Sequence, residues 1–127
     1  MEWEIQWGGD PEDVLVTISG DATVEGLNAW TQEALADSRF RPGMRVLIDH
    51  RGASLGGLTS DDMRRRADIL AADAERIGLQ RVATVVTKPV DFGLHRMLEL
   101  LSEERRSFTW RVFYDIEEAR DWLRGSD

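Results

Sequence analysis

Apolar and polar residues alternate in Trp3-Glu4-Ile5-Gln6-Trp7, the period-two pattern of a strand with one buried face. Gly8-Gly9-Asp10-Pro11 interrupts it, and Val14-Leu15-Val16-Thr17-Ile18 follows as a second, more apolar strand. Two such runs joined by a short glycine-containing turn predict an antiparallel hairpin. From Gly20 the period lengthens. Leu27, Trp30, Ala34 and Leu35 recur at helical spacing behind Thr23, whose hydroxyl suits a helix start, so a helix is predicted to about Asp37.

The same alternation of strand and helix then repeats. Met44-Arg45-Val46-Leu47-Ile48-Asp49 is the next strand, and a glycine-rich loop from Gly52 to Leu58 follows it. Thr59 and Asp62 form a capping pair for a helix with Met63, Ala67, Leu70, Ala71, Ala74 and Ile77 on one stripe, closed by Gly78. Arg81-Val82-Ala83-Thr84-Val85-Val86 is a β-branched strand ended by Lys88-Pro89; Leu94, Met97, Leu98 and Leu101 mark another helix. Phe108 to Tyr114 is the last strand. Asp115-Ile116-Glu117-Glu118 has the form of a capping box for a terminal helix that buries Ala119, Trp122 and Leu123. The order β-β-α-β-α-β-α-β-α predicts an α/β fold with a mixed, mostly parallel five-stranded sheet. Its middle strands, apolar on both sides, call for helices on both faces, and the first strand is the antiparallel edge.

Composition narrows the function classes. The 127 residues carry 16 basic and 24 acidic side chains, a net charge of −8, and no cysteine. A chain of this mass exposes roughly 6,800 Å² folded against roughly 21,000 Å² unfolded, enough burial for one domain without staples. Disulfides and cysteine metal sites are excluded, and the acidic balance argues against binding a phosphate backbone. No apolar run reaches the ~20 residues of a membrane span, and Met1-Glu2-Trp3-Glu4 has no leader character. A cytoplasmic location is the expectation. Fifteen of the 16 basic residues are Arg; Lys88 is the one lysine.

The residues Val46-Leu47-Ile48-Asp49-His50-Arg51-Gly52, Arg81-Val82-Ala83 and Val112-Phe113-Tyr114-Asp115, with Ala119, Trp122 and Leu123, occur in an order and spacing that resembles the small bacterial SpoIIAA-like proteins. These share a fold type with STAS domains and with CRAL-TRIO lipid-binding domains, and the resemblance covers essentially the whole chain. It implies a single β-α wound domain. STAS anti-sigma-factor antagonists carry a phosphorylatable hydroxyl in an Asp-Ser-Ser-Gly type motif; the matching stretch here is Asp49-His50-Arg51-Gly52, which keeps the Asp and Gly and lacks both hydroxyls. Thr59 and Ser60, further along, are the candidate phosphoacceptors, although Asp61 and Asp62 would repel the added charge. The plainer role for Thr59 is an N-cap.

In open α/β sheets, ligands bind beyond the carboxyl ends of the strands. Those ends are expected at Ser19-Gly20-Asp21, Asp49-His50-Arg51-Gly52, Thr87-Lys88-Pro89 and Tyr114-Asp115. His50 has the titration range of a general base, but Asp49 and Arg51 are expected to orient the loop, leaving His50 a partly exposed side chain without catalytic duty. No catalytic residue is assigned. His50 and His95 stand on different segments without a metal-binding spacing, the glycines from Gly52 to Gly57 lack a phosphate-loop ending, and no metal or cofactor is expected.

Arg64-Arg65-Arg66, flanked by Asp61, Asp62 and Asp68, is expected to be a solvated helix face with local ion pairs. Trp30, Trp110 and Trp122 have core spacing, whereas Trp3 and Trp7 share one face of an edge strand that packs under a helix or meets another copy. Val90-Asp91-Phe92-Gly93-Leu94, with Leu55 and Leu58, either caps the core or forms an apolar rim. The preferred function is a non-enzymatic binding module that meets a protein partner or its own copy through Asp49, His50, Arg51, Leu58, Lys88 and Phe92. The alternative is a carrier holding a small apolar ligand between the sheet and the helices bearing Met63 and Met97.

Overall fold

The computed structural model describes residues 1–78 and 80–125. Strands β1 (Glu2–Trp7) and β2 (Val14–Asp21) form the hairpin, paired antiparallel with Trp3 opposite Ile18 and Ile5 opposite Val16. Helix α1 (Val24–Ala36) leads to β3 (Val46–Ser54), α2 (Ser60–Ala72) and the short α3 (Ala74–Ile77) lead to β4 (Arg81–Val85), and α4 (Pro89–Ser102) leads to β5 (Thr109–Phe113) before α5 (Ile116–Leu123). The sheet order is β1-β2-β3-β4-β5, with every pair after the hairpin parallel. Because each crossover steps to the next strand in the same direction, right-handed connections place their helices on one face.

That face holds the larger core. Val14, Val16 and Ile18 of β2, Ile48 of β3, Val82 of β4 and Trp110 of β5 meet Leu27 and Trp30 of α1, Met63, Ala67 and Leu70 of α2, and Leu98 of α4. Trp3, Ile5 and Trp7 of β1 are half-buried against the same core, so the edge strand packs inward. On the opposite face Leu47, Ala83, Val85 and Phe113 are covered by Ala119, Trp122 and Leu123 of α5. Glu2, Glu4 and Gln6 of β1 and Thr17 and Ser19 of β2 lie beyond that cover and are exposed.

Capping follows local chemistry. The Thr23 hydroxyl accepts from the Gly26 amide, and Thr59 with Asp62 forms a reciprocal capping box at α2. Asp115 accepts from the Glu117 and Glu118 amides at α5, and Pro89 occupies the first turn of α4, where its missing N–H costs nothing.

Three boundaries differ from the pattern-based expectation. The α2 helix breaks at Asp73, so Ala74 and Ile77 belong to a separate turn of helix ahead of Gly78. Val90 to Leu94 are inside α4, whose proline start sets the helix five residues before the first apolar marker. β3 does not end at Asp49. It runs on to Ser54 because Ser19, Gly20 and Asp21 continue β2 and pair with Gly52, Ala53 and Ser54 beyond an irregularity between Thr17 and Ser19. Between those pairs β3 advances three residues while β2 advances two, which is a bulge.

Candidate functional site

The continuation of β3 rearranges the expected site. Along a strand successive side chains point to opposite faces, so Asp49 and Arg51 share the face of the sheet away from α1, while His50 points among the helices. Arg51 grips Asp49 with a two-pronged fork, Nε to Oδ1 at 2.9 Å and Nη2 to Oδ2 at 2.9 Å. Burial works against the Asp49 carboxylate, but the hydrogen bonds and charge of Arg51 more than offset it and hold the group below the usual carboxylate range. His50 is only 2% exposed, which corrects the expectation of a partly exposed side chain on a loop.

His50 belongs to a buried polar seam. Its ring lies 4.6 Å from that of His95 on α4 in an edge-on arrangement, and His95 in turn lies 6.3 Å from Trp110. Burial first, and then the positive charge of Arg66, pushes His50 down to about 4; burial, His50 and Arg66 together push His95 well down. Both imidazoles are therefore neutral at neutral pH. His50 Nδ1 and both nitrogens of His95 are buried without a hydrogen-bond partner among the described residues. Asp91, one helical turn before His95, uses Oδ1 to accept from the Leu55 amide at 3.0 Å while its Oδ2 has no partner. Among the described residues no three His, Cys, Asp or Glu side chains are grouped so as to hold a metal ion.

Arg66 was expected on a solvated face. Arg64 and Arg65 do stand there, paired with Asp61 and Glu25, but Arg66 is 3% exposed. Its Nη1 donates to Asn28 Oδ1 at 2.7 Å and its Nη2 to Thr31 Oγ1 at 2.8 Å, both neutral acceptors on α1, and its guanidinium lies 5.8 Å from the Trp30 ring. It makes no ion pair among the described residues. Burial pushes its pKa down to about 10, against the pull of Asp73, so it stays charged at neutral pH. The signal was present in the sequence: Met63, Arg66, Ala67 and Leu70 fall at i, i+3, i+4 and i+7, the buried stripe of α2.

Beside Arg66 lies an apolar cavity of about 70 Å³. Val14, Val46 and Val82, at the starts of β2, β3 and β4, form its floor, with Ala34, Leu70 and Phe108 among its other walls. It therefore opens near the amino ends of the parallel strands, the edge opposite the one at which the strand-exit residues were expected to gather. Trp30, Thr31, Gln80 and Arg66 are among its lining residues, but the surface they open to it is almost wholly apolar, and Trp30 Nε1 and Gln80 Oε1 are buried without partners among the described residues. Neither Met63 nor Met97 lines it: of the two helices expected to hold a ligand, α2 contributes and α4 does not.

The remaining expected residues stay apart. Leu55 is buried and Leu58 and Leu94 are half-buried against the core, so the rim expected from them is largely core capping. Phe92 stacks on Tyr114 with centroids 4.5 Å apart, next to exposed Val90 and Lys88. Thr59 and Ser60 are exposed, and Leu58 borders a shallow hollow that also has Asp21, Glu25 and Asp62 on its walls. No helix is long and apolar enough to cross a membrane among the described residues.

No family model and no curated protein matches the sequence. Among solved structures, the chain is similar to the crystal structure of an uncharacterized protein of the DUF3478 family with a SpoIIAA-like fold from Shewanella loihica PV-4. The two are 19% identical, with 96% of this chain and 92% of that chain covered at a TM-score of 0.59. Identity at this level speaks for the backbone alone. With its antiparallel edge, four parallel-paired strands and helices on both faces, the chain has the SpoIIAA-like fold.

Proposed function

We propose that this chain is a non-enzymatic binding module that holds a small apolar molecule in the cavity between the sheet and helices α1 and α2. The observation that carries this reading is a cavity whose accessible wall is almost wholly apolar, built from Val14, Val46 and Val82 of the sheet, Leu70 and Phe108. Ligand sites are lined predominantly by such apolar and aromatic side chains. At about 70 Å³ the cavity is well below the roughly 300–1,000 Å³ of sites for drug-sized molecules. A ligand of a few carbon atoms is the natural size.

Trp7, Trp30 and Trp110 all line the cavity, so indole fluorescence reports its occupancy. Titration with 1-pentanol is expected to give a saturable change in the native protein. Ala34→Leu, which fills the cavity from α1, should abolish that change while keeping the fold. A linear, non-saturating response in the native protein would refute the proposal.

A second reading, contact with a protein partner or another copy, is favoured by a different observation. Tyr114 and Val90 are about half exposed, and Tyr114 forms a flat aromatic surface with Phe92 beside Lys88. Exposed large apolar groups gathered at one edge are a common mark of an interface. Asp49 and Arg51 satisfy each other and are less suited to gripping a partner.

A further inference from the structure

The outward face of β1 carries a charge pattern that the fold leaves unanswered. Glu2, Glu4 and Gln6 are exposed, while Trp3, Ile5 and Trp7 are half-buried against the core. Neither Glu2 nor Glu4 forms an ion pair among the described residues. Their neighbours across the hairpin, Ser19 and Thr17, are exposed and uncharged. Arg51 of β3 shares this face but is held by Asp49, and α5 covers the face over β3, β4 and β5.

β1 is also a free edge of the sheet, paired with β2 alone among the described residues. The Gly8 N–H donates to the Asp13 carbonyl at 2.9 Å, and this pair continues the register in which Trp7 faces Val14. In an antiparallel ladder, residues that exchange hydrogen bonds with the neighbouring strand alternate with residues that do not. Counting back from Gly8, the backbone groups of Gln6, Glu4 and Glu2 turn toward β2. Those of Trp3, Ile5 and Trp7 turn to the open edge. A strand laid along that edge meets a row of free N–H and C=O groups, with apolar side chains on one face and carboxylates on the other.

We propose that β1 receives an extended segment of a partner protein in which apolar residues alternate with Lys or Arg. Cross-strand neighbours share a face. The partner's apolar residues therefore lie beside Trp3, Ile5 and Trp7 and lengthen the core, and its basic residues lie beside Glu2 and Glu4. The same acids select against a second copy. Two β1 strands paired edge to edge bring both acidic rows onto one face, in a chain whose net charge is already −8. This surface is separate from the cavity, and the proposal does not depend on what the cavity holds.

The test uses two peptides, acetyl-Lys-Val-Lys-Val-Lys-Val-amide and its counterpart with Glu in place of Lys, titrated into the full chain at low salt. Binding and backbone hydrogen exchange are followed by NMR. The Lys peptide is expected to bind at least about tenfold more tightly than the Glu peptide. It should slow exchange at the Trp3, Ile5 and Trp7 amides and leave those of Glu4 and Gln6, already bonded to β2, unchanged. Glu2→Lys combined with Glu4→Lys, both at exposed positions, should reverse the preference. Equal affinity for the two peptides, or binding of neither, would overturn the proposal. Binding of the Lys peptide without protection of the three outward amides would overturn it as well, because the peptide then sits elsewhere. Protection of those amides in the protein alone, growing with its concentration, would assign the edge to a second copy and overturn the basic partner.

Discussion

The buried imidazoles make the protein's stability depend on pH in a definite direction. His50 sits at about 4 in the folded chain and near its ordinary value when unfolded, so between those limits the unfolded state binds the extra proton. The contribution of the neutral ring is fully present above the unfolded pKa and is lost as pH falls below it. Acidification from about pH 7 to about pH 5 should cost about 2 kcal/mol from His50 alone, and His95 acts in the same direction. Urea unfolding at the two pH values measures this, and His50→Gln should flatten the dependence; equal stability at both would refute a neutral buried pair. Asp49, held below its usual range, begins to matter only at more acid pH. This seam was hard to read from sequence because periodicity tracks apolar residues. Of the apolar markers in α4, Leu98 is buried but Leu94, Met97 and Leu101 are half-buried, while the other buried positions, Asp91, His95 and Ser102, are polar. Arg66 was missed for a different reason: three consecutive arginines draw attention to charge and away from the helical stripe on which the third one falls.

At the scale of elements, the strand and helix order was legible apart from the break that separates α3 from α2, since caps such as Thr23, Thr59 and Asp115 and the two hydrophobic periods are local signals. The length of β3 was not. Its final stretch, Arg51-Gly52-Ala53-Ser54, lacks strand character, and it is strand because β2 extends alongside it, a contact between distant parts of the chain. Two glycines test how the elements meet. Gly78 closes α3 at a φ of +72°, and a Cβ there would come within 2.6 Å of the Pro42 Cβ. Gly78→Ala should therefore destabilise by roughly 1–3 kcal/mol, through a backbone conformation that L-residues avoid and a clash with the loop before β3. Gly93, inside α4, has open space at the same position. Gly93→Ala should stabilise by about 0.5–1 kcal/mol through helix propensity. Chemical denaturation that moved the two variants in the same direction would contradict this account.

For the whole molecule, the question is whether the exposed aromatic edge joins two copies. Sedimentation velocity over a range of concentrations should show a mass that rises with concentration if Val90, Phe92 and Tyr114 form such an interface, and Val90→Asp should return it to a single chain. A single-chain mass at every concentration would remove self-association and leave a different protein as the partner at that edge. The distribution of helices has a consequence for how the protein is made. A sheet whose crossovers all lie on one face depends for its other face on α5, which follows β5 in the chain. During synthesis Leu47, Ala83, Val85 and Phe113 emerge before Ala119, Trp122 and Leu123 can cover them. The nascent chain thus passes through a stage with one finished core and one bare apolar face, the stage at which aggregation on the ribosome or capture by a chaperone is favoured.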